Sequence, residues 1–90
     1  MVAYEWDPNK ARGNRKKHGV DFTDAALVLE DSLGLTQSDP DAEGEERFVT
    51  LGEDPGGQLL VVVWSPRGED IRLISARRAT AAERRQYEER

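Results

Sequence analysis

The sequence predicts a single α+β domain, an antiparallel β-sheet meander with helices packed on one face. Three observations predict it. The chain has 90 residues, room for one hydrophobic core spanning 1–90 and too few for two. Four apolar or alternating segments between Leu33 and Arg77 follow one another through short polar turns, the connection that antiparallel neighbours use. Helical signals flank that block instead of alternating with it, which separates α+β from α/β.

Residues 3–6 read as a short apolar-aromatic strand. Asp7 is placed to cap a helix over 8–17, with Pro8 at its first position and Gly19 free to adopt the left-handed conformation that ends it. Ala11 is the one aliphatic residue in that helix, so it packs weakly or faces a partner. A second helix is expected from Thr23 to about Asp31, with Phe22 and Leu27 forming a hydrophobic staple around its start. Leu33-Gly34-Leu35-Thr36 reads as a strand and 38–45 as a polar loop. Residues 47–51 alternate as a strand, and Asp54-Pro55-Gly56-Gly57 is a turn. Residues 59–64 form the most apolar, β-branched run and predict a central strand. Ser65-Pro66-Arg67-Gly68 turns into a last strand over 71–77. Thr80-Ala81-Ala82-Glu83 is a capping box opening a C-terminal helix.

Composition narrows the class. There is no cysteine, so disulfides and thiolate metal sites are excluded, which fits a reducing cytoplasm. No apolar run approaches the ~18 residues of a membrane span, and the start has no signal-peptide pattern. The formal net charge is −5, which taken whole argues against nucleic acid. The distribution argues otherwise. Residues 8–20 hold five basic residues and His18 with no acid; residues 21–54 hold eleven acids against Arg47; residues 65–90 hold seven arginines against five acids. Basic ends that meet in space would make a cationic face. Asp39-Pro40-Asp41-Ala42-Glu43-Gly44 imitates the start of a calcium loop, but Thr50 stands where its bidentate glutamate is required. No metal or cofactor site is expected.

Several strings in order resemble one family. They are Tyr4-Glu5-Trp6-Asp7-Pro8-Asn9-Lys10, Asn14, Lys17-His18-Gly19-Val20 with Phe22, Gly44-Glu45-Glu46-Arg47, Leu51-Gly52, residues 59–63, Arg67, Ile71-Arg72-Leu73-Ile74-Ser75-Ala76-Arg77, Glu83-Arg84 and Tyr87. Across its whole length the chain resembles the BrnT toxins of bacterial toxin–antitoxin pairs. That resemblance implies a RelE-like fold, RNA cleavage without a metal, and neutralisation by a BrnA-like antitoxin. The antitoxin's DNA-binding domain would reach operator DNA, so the toxin would meet DNA only through it, in a hetero-oligomer such as 2:2. Trp64 departs from the pattern, standing where a tyrosine is usual, and Ser65-Pro66 replaces a Thr-Glu.

Metal-free RNA cleavage needs a base for the 2′-hydroxyl proton, cations at the phosphoryl centre, and an acid for the leaving oxygen. His18 is the one side chain whose ordinary pKa suits proton transfer at neutral pH; the competing reading is a helix C-terminal cap. Arg77 and Arg47 are expected to hold the phosphate on an open sheet face, since the guanidinium fork matches it. Arg77 equally suits an ion pair with Glu83. Lys17, Arg67, Arg72 and Glu83 complete the candidate substrate contacts, although a turn suits Arg67 and the capping box suits Glu83. Tyr87 could donate a phenolic proton or stack on a base, or be half-buried packing. The rival functions are a toxin of the same fold that acts by binding a protein such as DNA gyrase, and a non-toxic interaction module.

Overall fold

The computed structural model describes residues 2–89; Met1 and Arg90, counted in the sequence reading, lie outside them. In chain order the elements are β1 (Tyr4–Glu5), α1 (Pro8–His18), α2 (Phe22–Val28), β2 (Leu35–Ser38), β3 (Phe48–Glu53), β4 (Leu59–Arg67), β5 (Asp70–Arg78) and α3 (Ala81–Glu88). One sheet holds all five strands in the order β1-β5-β4-β3-β2. β2 to β5 form the expected antiparallel meander. β1 instead pairs parallel with β5, Tyr4 opposite Ile71 and Glu5 opposite Arg72, so the sheet is mixed.

The ends of α1 are as the sequence predicts. The Asp7 carboxylate accepts the Asn9 N–H, Pro8 opens the helix, and Gly19 at φ 70° donates its N–H to the Arg15 carbonyl. α2 is displaced from the expected span. Asp21 is its N-cap and Val28 its last residue. The Phe22–Leu27 staple does not form, because Phe22 lies inside the helix and is drawn into the core against Trp6, edge-to-face at 5.9 Å, while Leu27 is exposed. The chain leaves α2 through a turn pinned by Asp31, whose carboxylate accepts the N–H groups of Leu33 (2.9 Å) and Glu53 (2.8 Å). That turn takes up Leu33 and Gly34 and delays β2 to Leu35.

Alternation along β4 divides the core. Leu60 and Val62, with Leu73 and Ala76 of β5, pack under Val20, Phe22, Ala25 and Val28. Each fully buried Leu or Val among them contributes about 2 kcal/mol. Gly52 belongs on this face because a Cβ there would lie 3.0 Å from the Val28 side chain. Leu51, Leu59 and Val61 point the other way and pack with Ala79 and Tyr87. α1 and α2 therefore share one face as expected, whereas α3 leans on the opposite face. Its capping box at Thr80 fixes that exit direction, with the Thr80 and Glu83 backbone N–H groups each bonded to the other's side chain.

A bulge changes the face assignment in β5. Val63 faces Ser75 and Trp64 faces Leu73, leaving Ile74 as the extra residue. Strict alternation in the sequence groups Leu73 with Arg77 and Arg72 with Ala76. The bulge instead puts Leu73 and Ala76 together in the helix-side core. Arg72 and Arg77, opposite Ser65 and Val61, then share the other face.

Beyond β1 the outer edge of β5 has no strand partner. Asn14 of α1 takes that place. Its side-chain amide donates to the Ala76 carbonyl (2.9 Å) and the Val20 carbonyl (3.1 Å), and its oxygen accepts the Ala76 N–H (3.0 Å). One buried side chain thus closes the sheet edge and fixes α1 alongside it.

Candidate functional site

The sheet face away from α2, flanked at its β5 edge by α1, has two halves. At one end the meander brings three chain segments together. β3 runs antiparallel to β4, so the start of β3 lies beside the end of β4; the β4–β5 hairpin then returns the start of β5 to the same end. Arg47 directly precedes β3, Arg67 ends β4, and Arg72 lies near the start of β5. Lys10 joins them from the first turn of α1. With Glu45 and Ile74 these residues line a cleft of about 280 Å³. Four cations face one carboxylate there, a local excess that the net charge of −5 conceals.

The cations of this cleft are poorly engaged by the protein itself. Arg47 Nε is buried without a hydrogen-bond partner, and an unsatisfied buried donor costs about 1–3 kcal/mol. Arg72 meets Glu5 at 3.4 Å, a loose and partly exposed contact. Among the described residues no ion pair engages Lys10, Arg47, Arg67 or Glu45. Guanidinium groups lining one cleft without close internal carboxylate partners have the donor geometry that suits an oxyanion.

The other half is partly covered by α3, which leaves a small groove lined by Leu35, Leu51, Val61 and Glu83. Arg77 lies five residues beyond Arg72, roughly 15 Å along the strand. It makes a two-pronged ion pair with Glu83 of α3, Nη1 to Oε1 at 2.8 Å and Nη2 to Oε2 at 2.9 Å. This contact and the Thr80 amide hold the Glu83 carboxyl at about 2, far below its ordinary value, against the opposing effect of burial. The Arg77 guanidinium is raised in turn by the same hydrogen bond. Tyr87 packs on the Leu51 cluster and donates its hydroxyl to Asp31 Oδ2 at 2.5 Å.

The structure therefore brings together Arg47, Arg67 and Arg72 of the expected site, and separates Arg77, Glu83 and Tyr87 from them. His18 and Lys17 sit at the C-terminal end of α1, eight and seven residues from Lys10 and so roughly 10–12 Å away along the axis. Trp64 stacks on Phe48 at 4.9 Å and donates its indole N–H to Thr50, so it serves packing on the helix side. Two cleft residues, Lys10 and Glu45, lie in the family-like strings but are not among the expected site residues. Lys10 was hidden in a basic helix, and Glu45 in an acidic loop whose charge reads as solvation.

Comparison with known proteins bears on this site. The family model described as "Ribonuclease toxin, BrnT, of type II toxin-antitoxin system" matches residues 6–83. No curated protein matches significantly. The crystal structure of the Brucella abortus ribonuclease toxin BrnT is similar at 28% identity and a TM-score of 0.66, over 89% of this chain and 99% of that one. The matched span contains both the cleft and the Arg77–Glu83 latch, and the chain belongs to the BrnT family of ribonuclease toxins of type II toxin–antitoxin systems.

Proposed function

We propose that the toxin cleaves RNA without a metal, in the cleft formed by Lys10, Arg47, Arg67 and Arg72. The observation that carries this reading is the convergence of Lys10, Arg47, Arg67 and Arg72 on one cleft with a single carboxylate. A phosphodiester there would meet the guanidinium groups of Arg47, Arg67 and Arg72 that line the cleft. It would also place the developing negative charge of the pentavalent phosphorus among fixed cations, which is how such a centre is stabilised without a Lewis acid. The exposed basic residues of α1, Lys17 and the partly exposed His18 included, continue this surface and would track the RNA backbone. In this reading Arg77 and Glu83 act by position, fixing α3, and Tyr87 anchors that helix. Purified protein freed of antitoxin is expected to cleave RNA in EDTA, and R47A is expected to lose that cleavage. Intact RNA under both metal-free and metal-supplemented conditions would defeat the reading.

Membership of a type II system implies an antitoxin partner. We propose a BrnA-like antitoxin that carries the DNA contacts and assembles as a 2:2 complex. The supporting observations are the uncovered outer edge of β2 and the exposed Leu27 and Leu33 close to it in the chain. Light scattering of the co-purified pair is the direct check.

A further inference from the structure

We propose that Glu45 is the general base of the reaction, taking the proton of the attacking 2′-hydroxyl of an RNA held in the Arg47 cleft; the proposal rests on the reading of that cleft as the RNA site. Elimination within the cleft leads to it. Lys10, Arg47, Arg67 and Arg72 offer donors and no acceptor, and Ile74 is apolar. Glu45 is the one lining group able to accept a proton. The alternatives are engaged or distant. Glu83 is chelated by Arg77, and its carboxyl is held at about 2, which makes it a weak base. Tyr87 donates to Asp31, and His18 is at the far end of α1.

The local backbone fits this role. Glu45 follows Gly44, whose φ of 77° turns the chain, and it precedes Arg47 by two residues. Glu45 is exposed, and no cation lies within ion-pairing distance among the described residues. A carboxylate that lines the arginine cleft without being clamped in an ion pair has oxygen lone pairs free to take a proton. When a phosphate enters, the arginines face its oxygens and Glu45 remains for the adjacent ribose. The step balances as follows. The 2′-oxygen gives its proton to Glu45 and forms a bond to phosphorus. The bond from phosphorus to the 5′-oxygen breaks, and that oxygen leaves with a proton from solvent. Glu45 then returns its proton to solvent. The products are a 2′,3′-cyclic phosphate and a 5′-hydroxyl.

The test compares wild type, E45Q, E45D and R47A on one single-stranded RNA, with a 2′-deoxy-substituted copy as an uncleavable binding probe. E45Q is expected to cleave about 100-fold or more slowly while binding the probe as well as wild type, or better, since a negative charge is gone. The acid limb of the wild-type pH–rate profile should vanish in E45Q and survive in E45D at a lower rate. Cleavage by E45Q within about threefold of wild type would overturn the assignment. So would parallel loss of probe binding and cleavage, which would mark Glu45 as a binding or folding residue. Failure of the cleft reading is separately visible: R47A would then bind and cleave like wild type.

Discussion

Arg47 and Arg77 occupy opposite ends of the same sheet face and do different work. Arg77 is fully engaged. Its two-pronged contact with Glu83 at 2.8 and 2.9 Å joins β5 to α3. Arg47 keeps a buried donor without a partner beside Lys10, Arg67 and Arg72, and that half stays open. The comparison teaches that an arginine on a sheet face serves structure or an anion according to what the fold brings to its end of the strand. Side-chain type does not decide it.

The largest expected effect separates the two directly. R47A should lower RNA cleavage by about 100- to 1,000-fold and leave the melting temperature unchanged or slightly higher, because an unsatisfied donor disappears. R77A should leave cleavage by the folded protein nearly intact. Initial rates beside thermal melts read both; comparable rate losses in the two variants would break the comparison.

Next in size is the contact that holds α1 to the β5 edge. Asn14→Ala strands the Ala76 N–H and carbonyl and the Val20 carbonyl. It should destabilise the fold by about 2–3 kcal/mol in urea titration. R77A should cost less, about 1–2 kcal/mol, since Arg77 is partly exposed and exposed pairs are screened. If R77A costs more than Asn14→Ala, the latch matters more than the sheet edge.

The smallest effect is in pH. Glu83 has a folded-state carboxyl at about 2 against an ordinary 4.5. A lowered value means that its stabilisation is present above about pH 4.5 and is lost as pH falls toward 2. After discounting for exposure this amounts to about 1 kcal/mol. Wild type should lose that increment relative to E83Q across this window in parallel acid titrations of stability. Identical acid dependence would mean that the latch carries no such charge coupling.

Most of the fold was legible because its signals are local. Asp7-Pro8 with Gly19 delimits α1, and Thr80 with Glu83 opens α3, through contacts that lie within a few residues. α2 was misplaced because Phe22 answers to a tertiary contact with Trp6, which overrides the local staple. The site was half legible. Alternation tells which face a side chain takes but not which end of the sheet it reaches, and that gap made Arg47 and Arg77 look like partners. Strand order resolves it: β3 begins where β4 ends, far from the end of β5. The bulge at Ile74 then undid alternation itself, which no spacing in residues 70–78 announces. Asn14 was visible only as part of the BrnT-like pattern, because its role needs the β5 edge.

The most direct test of the account is the salt dependence of RNA binding. Single-stranded RNA binding should weaken with salt, and each phosphate contact adds about −0.7 to the slope of log K against log salt. The account predicts that R47A reduces the magnitude of that slope by about 0.7 while folded R77A keeps the wild-type value. An unchanged slope in R47A, or a reduced one in R77A, would contradict it.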